Sequence, residues 1–158
     1  MPVLLTLTLL VISATLALGQ GLATKRSLTL EAAKQIAAAA EAEAKRNNWN
    51  VVIAIVDDGG HLVYLQRMDE TQIGSIDVAI AKAQSAVKFK RPTKAFEDAL
   101  LSRQAILKLP GALPIEGGLP LMVEGKILGA IGVSGVQSNQ DGIIAQAGAN
   151  ALAKLAAR

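Results

Sequence analysis

Few side chains in this sequence could do chemistry, and they fall in two short stretches. The first holds the single histidine, His61, directly after the glycine-containing run 57–60. The second is a basic cluster formed by Lys88, Lys90, Arg91 and Lys94. One histidine excludes a multi-histidine metal site and a His-Glu-x-x-His protease within a single chain. No catalytic constellation is specified, so we expect a binding function, and the question of an enzymatic activity stays open.

Each stretch has a chemical and an ordinary interpretation. His61 is a candidate nitrogen ligand for a metal, or a half-exposed residue of a hairpin. The basic cluster suits a carboxylate ligand through charge-assisted contacts, with Arg91 as the best single candidate. The same cations could simply complement the dipole at a helix end and remain solvated. Asp57 and Asp58 are adjacent and point to opposite faces of a strand end, so we interpret them as turn formers.

Composition narrows the class of protein. The chain has 158 residues, of which 51% are hydrophobic and 3% are aromatic, so it forms one domain with an aliphatic core. A net charge of +3 without a long basic run, and with few aromatic rings for base stacking, argues against nucleic-acid binding. The absence of cysteine excludes disulfides, Cys-ligated zinc, iron–sulfur clusters and covalent haem attachment.

The first 23 residues carry no charged side chain. A nearly continuous apolar run spans 3–18, and small residues at 17–19 and 21–23 could precede a cleavage site. We therefore expect a signal peptide over 1–23, a mature domain over 24–158, and a periplasmic or secreted protein. A retained membrane anchor and a misassigned start codon are the alternatives.

The first half of the domain predicts a helix, a hairpin and a second helix. An amphipathic helix runs from a Thr29 N-cap to Arg46. A strand over 49–56 is apolar on both faces, and 61–68 returns as its antiparallel partner. A second helix follows over 75–89.

The second half repeats this order. Pro92 ends the second helix, and Thr93 can cap a third helix that runs towards Leu107. A loop over 110–120 leads to a hairpin over 121–133, and Asp141 starts the last helix, with a buried stripe of Ile144, Ala147, Ala151 and Leu155. Two hairpins between helices predict an α+β fold with an antiparallel sheet flanked by helices.

The strand over 125–135 carries glycine at 129, 132 and 135. This spacing matches neither a P-loop nor a dinucleotide-binding motif. Glycine inside an apolar strand marks close approach by another backbone, a helix or a ligand. We therefore expect a tightly packed sheet beside a pocket.

Several stretches together resemble the GlcG/HbpS-like family of haem-binding proteins, which includes the C-terminal domain of PduO. These stretches are 56–60, 67–69, 75–77, 82–89, 91–93, 117–120, 125–135, Asp141 and 147–148. The resemblance covers about Leu28 to Leu155. It implies a profilin-like or PAS-like layer fold, a homo-oligomer and, for exported members, haem binding, haem degradation or redox sensing beside a membrane sensor.

The resemblance also assigns a candidate role to Thr93, because a threonine is implicated in holding haem in the exported members. Family members do not depend on a shared histidine at the position of His61, so His61 is a candidate ligand to haem iron through its chemistry alone. Phe89, Lys90 and Arg91 are the candidate contacts to the cofactor, with the cations near the propionates. A small-carboxylate sensory module and a haem-degrading enzyme are the alternative functions. This sequence has Glu70-Thr71 where the family usually has small residues, and Val136 where a further glycine is common, so the rim of a pocket could differ.

Overall fold

We describe the fold from a computed structural model that covers residues 21–157. In chain order the elements are α1 Leu30–Arg46, β1 Val52–Asp57, β2 Leu62–Arg67, α2 Ser75–Phe89, α3 Lys94–Leu100, a 3₁₀ turn Gln104–Lys108, β3 Gly118–Val123, β4 Lys126–Ser134 and α4 Ser138–Ala156. The strands form one sheet in the order β2-β1-β4-β3, and every pairing is antiparallel. The α+β prediction and the order of elements are confirmed.

Strand β1 lies in the middle of the sheet and is covered on both faces, as its sequence predicts. Ile53 and Ile55 face the larger core, which α1 and α4 complete with Ile36 and Ile144. On the other face, Val52 and Ala54 pack with Ala79 of α2. The small residues of α1 and α2 allow both helices to approach the sheet closely.

Both long helices before the second hairpin end in the same way. The backbone N–H of Trp49 donates to Ala44 and that of Asn48 to Lys45, which closes α1 as a Schellman motif. In α2 the N–H of Arg91 donates to Ala86 and that of Lys90 to Val87. The left-handed residue is Asn48 (φ 56°) in the first motif and Lys90 (φ 54°) in the second.

Several predicted boundaries are wrong by a few residues. β3 begins at Gly118, inside the predicted loop, because Pro120 is tolerated on an edge strand. α3 ends at Leu100, and only a separate 3₁₀ turn continues towards residue 107. α4 begins at Ser138 because Gln137 and Gln140 form a reciprocal capping box.

The buried stripe of α4 is also shifted from the prediction. Ile144 is buried as expected, whereas Ala147, Ala151 and Leu155 are only partly covered. The buried positions of this helix are Asp141, Ile144, Ala145, Gly148 and Leu152. The buried face of α4 therefore includes a polar residue, Asp141.

The space beside the glycines of β4 is occupied by other parts of the chain. A Cβ at Gly132 would collide with the Ala79 carbonyl oxygen and lie 2.6 Å from the Ala83 nitrogen of α2. A Cβ at Gly129 would collide with the Val56 carbonyl oxygen of β1. The prediction of close packing is confirmed. No pocket opens beside Gly129 or Gly132, because β1 lies against the first and helix α2 against the second. A cavity does lie at the turn of this hairpin, beside Gly125 and Ile127.

The predicted signal peptide lies almost wholly outside the described residues. Residues 21–29 form a mostly exposed coil that leads into α1. Among residues 21–157, no helix has the length and apolar character required to span a bilayer.

Candidate functional site

The predicted site residues converge at one corner, where the end of α2 meets the turn between β1 and β2. Gly60, next to His61, lies against α2, since a Cβ there would be 3.6 Å from the Val87 side chain and 3.8 Å from that of Lys88. The side-chain amide of Gln84 also donates to the Gly60 carbonyl at 3.1 Å. We call this region the basic corner; it comprises His61, Lys88, Phe89, Lys90, Arg91 and Lys94.

Lys90 occupies the left-handed position at the end of α2. Glycine or asparagine is the usual residue there, because a Cβ makes this conformation unfavourable by about 1–2 kcal/mol. The other described residues with positive φ, outside glycine, are Asn48, Glu70 and Glu124. Residues kept in such conformations are concentrated at functional sites, so the choice of lysine here needs an explanation beyond folding.

The Lys90 side chain lines a cavity of about 340 Å³ between the two hairpin turns. Asp58 lines the same cavity, together with Gly125 and Ile127. The Asp58 carboxylate is paired with Lys25, from the extended segment before α1. The cavity therefore combines one unpaired ammonium with a carboxylate whose charge is already matched.

Arg91 is held against the Phe96 ring and the Phe89 carbonyl. Its guanidinium carbon lies 5.5 Å from the centre of the Phe96 ring, within the range of a cation–π contact. Its Nε donates to the Phe89 carbonyl at 3.2 Å, and the Phe89 and Phe96 rings meet edge to face at 5.1 Å. These contacts fix the direction of an exposed cation that would otherwise be mobile.

The cations of the basic corner differ in their partners. Lys94 pairs with Asp98 at 2.8 Å, which raises the Lys94 pKa mainly through that hydrogen bond. No ion pair joins Lys88, Lys90 or Arg91 to a carboxylate within residues 21–157. Three exposed cations are therefore available to an acidic ligand.

Thr93 lies beneath the basic corner and is fully buried. Its hydroxyl accepts from the Gly118 N–H at 2.9 Å, while the Thr93 N–H donates to the Gly118 carbonyl at 3.0 Å. The hydroxyl does not cap α3, although Thr93 holds the N-cap position. A direct contact between this hydroxyl and a ligand would first require the bond to Gly118 to break.

His61 is exposed in the β1–β2 turn. The turn is held by Asp57, whose Oδ1 accepts from the backbone N–H groups of Gly59 and His61, each at 2.9 Å. The hydrogen bond from the His61 N–H is the largest cause that lowers the pKa of Asp57. The interpretation of Asp57 as a turn former is confirmed, and His61 stays exposed to solvent.

A buried ion pair joins α2 to α4 in the interior of the domain. Lys82 is 1% exposed, and its Nζ donates to Asp141 Oδ2 at 2.8 Å and to the Val133 carbonyl at 3.0 Å. The other carboxylate oxygen of Asp141 accepts from the Val136 N–H at 3.3 Å. Burial raises the pKa of Asp141 in spite of the Lys82 contact, so removal from water outweighs the attraction between the charges.

Sequence reasoning found the basic corner but missed the Lys82–Asp141 pair. A lysine within the apolar stripe between Ala79 and Ala83 is a usable signal, because charged side chains are rarely buried unless paired. The identity of the acidic partner could not be read, since Asp141 is distant in sequence. The left-handed conformation of Lys90 also left no signal in the residue types.

Arg67 and Asp69 lie away from this corner. They line a larger cavity of about 540 Å³ at the other end of β2, together with Glu41, Lys45, Asn50, Gln66, Met68 and Glu70. Its lining holds three carboxylates and two cations, and Lys45 is paired with Glu41, so this cavity offers no excess of positive charge to an acidic ligand. We therefore regard the basic corner as the better candidate site.

Comparison with known proteins decides the family. The model of the family described as "Haem degrading protein HbpS-like" matches residues 28–150. The chain belongs to the HbpS-like family. Protein GlcG of Escherichia coli K12 is 42% identical over 112 residues, which are 70% of this chain and 84% of GlcG.

Solved HbpS-like structures have the same fold. HbpS of Streptomyces reticuli, crystallised as a double mutant, gives a TM-score of 0.77 at 31% identity and covers 94% of this chain and 97% of its own. A structure described as a PduOC:heme complex gives a TM-score of 0.72 at 28% identity and covers 80% of this chain and 95% of its own. The fold and a relation to haem-binding proteins are therefore established for this HbpS-like chain.

Proposed function

We propose that this HbpS-like chain is an exported protein that binds haem non-covalently at the basic corner and acts in haem sensing or handling. The observation that carries the proposal is Lys90, an exposed cation kept at an unfavourable backbone position where it lines a cavity. The family and the heme complex of the PduO domain support haem as the ligand.

The residues of the corner fit the acidic part of haem. Lys90 and Arg91 would hold the propionates through charge-assisted hydrogen bonds, with Lys88 nearby. Phe89 would add an apolar contact at the edge of the macrocycle. Bound haem would supply an iron centre, and His61 would be the candidate nitrogen ligand because its side chain is exposed. Thr93 would then act indirectly, because its hydrogen bonds to Gly118 hold the basic corner in place.

A small carboxylate is the second candidate ligand. The volume of about 340 Å³ is at the low end of the range for ligand pockets, roughly 300–1,000 Å³. A small acid that contacts Lys90 would fit this volume. The chain would then be a sensory module for that acid.

Export, self-association and a membrane-bound sensor partner belong to the same proposal. The uncharged, apolar first 23 residues support export to the periplasm or out of the cell. An intact mass measured on the exported protein would give the cleavage site directly. A mass that retains residues 1–23 would support a membrane anchor instead.

A hemin titration tests the ligand. We expect a shifted Soret band that saturates at a defined stoichiometry, and a change of spectral type in His61→Ala if the imidazole binds iron. No Soret shift, combined with a raised melting temperature in glycolate or a similar acid, would identify a small carboxylate, and not haem, as the ligand. Faster haem loss with peroxide than free hemin shows would establish degradation as an activity.

A further inference from the structure

The coil over residues 24–29, which we call the strap, crosses the end of the sheet where both hairpin turns lie. The turns share this end because β1 and β4 are antiparallel, with Asp57 at the end of β1 paired with Gly129 near the start of β4. The strap is anchored at its own end: Leu28 packs against the larger core, and the Thr29 hydroxyl caps α1. This anchor places the cations that precede Leu28 at the two turns.

Two consecutive cations of the strap each match a carboxylate on a different turn. Lys25 is paired with Asp58 of the β1–β2 turn. Arg26 Nη1 lies 3.7 Å from Glu124 Oε1 of the β3–β4 turn. Within the described range 21–157, neither carboxylate has an ion pair with any other cation. The strap is therefore the source of the countercharge for both turns.

The strap also sets the sign of the charge around the cavity of the basic corner. Asp58 and Lys90 line this cavity, and so does Gly125, which directly follows Glu124. With the two strap cations in place, Lys90 and the two carboxylates belong to a group with one net positive charge. Without the strap the same group would carry one net negative charge, which repels an acid.

Asp58 is the natural competitor for Lys90. Among the described residues that line the cavity, Asp58 is the only carboxylate and Lys90 the only cation. A carboxylate released from Lys25 would share the cavity with an unpaired ammonium, and the two opposite charges would attract. The pairing of Asp58 with Lys25 therefore leaves the Lys90 ammonium available to a ligand.

We propose that Lys25 is a positioning residue that makes the cavity selective for acids, because it holds the Asp58 carboxylate away from Lys90. The proposal rests on the proposed function, in which Lys90 contacts a carboxylate of the ligand. Lys25 does not touch the ligand and acts through Asp58. The strap directly follows the predicted signal peptide over 1–23, so the position of cleavage decides whether the exported chain keeps this cation.

Titration of the exported protein with hemin and, separately, with glycolate tests the role of Lys25. We expect Lys25→Met to weaken binding by about two- to fivefold, the range of exposed ion pairs, and Lys25→Arg to bind as wild type does. The double variant Lys25→Met/Asp58→Asn should recover wild-type affinity, because Lys90 again has no competing carboxylate. Lys34→Met is the matched control, since Lys34 is an exposed lysine of α1 outside the strap.

Two outcomes of the titration would overturn the proposal. One is wild-type affinity in Lys25→Met while wild type binds either ligand. The other is a double variant that binds as weakly as Lys25→Met, because a strap needed only for folding would gain nothing from the loss of Asp58.

A measurement without ligand separates this claim from the proposed function. Limited acetylation with acetic anhydride, followed by peptide mass spectrometry, reports the reactivity of each lysine, and an ammonium held by a carboxylate reacts more slowly. We expect Lys90 to react more slowly in Lys25→Met than in wild type, and at the wild-type rate in Lys25→Met/Asp58→Asn, with Lys34 unchanged throughout. This pattern in a protein that binds neither hemin nor glycolate would reject the proposed function and retain the role of Lys25 towards Asp58. Equal Lys90 reactivity in wild type and Lys25→Met would contradict the proposal.

Discussion

Lys82 lies within α2 and Lys90 lies just past the end of this helix, about two turns further on, yet their surroundings are opposite. Lys82 is buried, paired with Asp141 and hydrogen-bonded to a β4 carbonyl. Its charge is therefore neutralised inside the fold and does not reach a ligand. Lys90 is exposed, has an unfavourable backbone conformation and lines a cavity. One cation therefore holds α2, β4 and α4 together, and the other is available to a ligand.

The ends of α1 and α2 sharpen this contrast. Both helices close with the same pair of hydrogen bonds, and both place a residue other than glycine in the left-handed position. Asparagine, at the end of α1, is commonly found in this conformation, whereas lysine is not. The two motifs do the same structural work, so the lysine at the second indicates an additional role for its side chain.

The largest effect is expected at the buried pair. Lys82→Met should lower the free energy of unfolding by about 3–5 kcal/mol, because it leaves the Asp141 carboxylate buried without its cation. Chemical denaturation of the purified variants measures this. Since burial already raises the Asp141 pKa, the double variant Lys82→Met/Asp141→Asn should be more stable than Lys82→Met. A single variant as stable as wild type would remove the distinction between the two lysines.

Gly132→Ala tests how tightly α2 lies on β4. The new Cβ would collide with the backbone of α2, so we expect a loss of about 1–3 kcal/mol. Gly125→Ala is the comparison without a collision, because nothing lies within 4 Å of a Cβ there. Any loss of stability in that variant comes from the φ of 75°. A Gly132→Ala variant as stable as wild type would show that α2 can move away from the sheet.

Thr93 links the buried layer to the basic corner. Thr93→Val keeps the shape but leaves the buried Gly118 N–H without its acceptor, which should cost about 1–3 kcal/mol. Thr93→Ser keeps the hydroxyl and should lose less. If hemin binding and stability fall together in Thr93→Val and recover together in Thr93→Ser, Thr93 positions the corner. Weaker hemin binding in Thr93→Val at unchanged stability would favour a direct contact between the hydroxyl and the ligand.

Asp57 should give a smaller, pH-dependent effect. Asp57→Ala removes the acceptor of two backbone N–H groups, and we expect a loss of about 1 kcal/mol at neutral pH. Because the folded-state pKa of Asp57 is lowered, its contribution is present above the ordinary Asp range, roughly pH 4, and disappears as the pH falls through the folded-state value. Denaturation of wild type and Asp57→Ala across acidic pH should show the difference in their free energies of unfolding becoming smaller. A constant difference would show that the ionised Asp57 carboxylate does not stabilise the turn.

Local signals in the sequence were sufficient for most of the fold. Thr29 and the spacing of small residues located α1, and the doubly apolar run before Asp57 located the central strand. Asp141 was misplaced because the capping residue, Gln137, is unusual at that position. The glycines of β4 correctly signalled close approach, but whether a helix or a ligand approaches depends on tertiary packing.

The candidate site was only partly predictable. The clustering of Lys88, Lys90 and Arg91 is visible in the sequence, whereas the placement of Arg91 on Phe96 depends on how α3 turns back. The burial of Thr93 against Gly118 joins residues far apart in the chain, and no local pattern specifies it.

Lys90→Gly tests the central claim most directly, because folding and binding should change in opposite directions. Glycine accepts the left-handed conformation, so the free energy of unfolding should rise by about 0.5–1 kcal/mol. The lost ammonium should weaken hemin or small-carboxylate binding by about tenfold or more, equivalent to about 1.4 kcal/mol. Denaturation and ligand titration of the same preparation, with Asn48→Gly as the control at the end of α1, give both numbers. Ligand affinity equal to wild type in Lys90→Gly would contradict the assignment of the basic corner as the binding site.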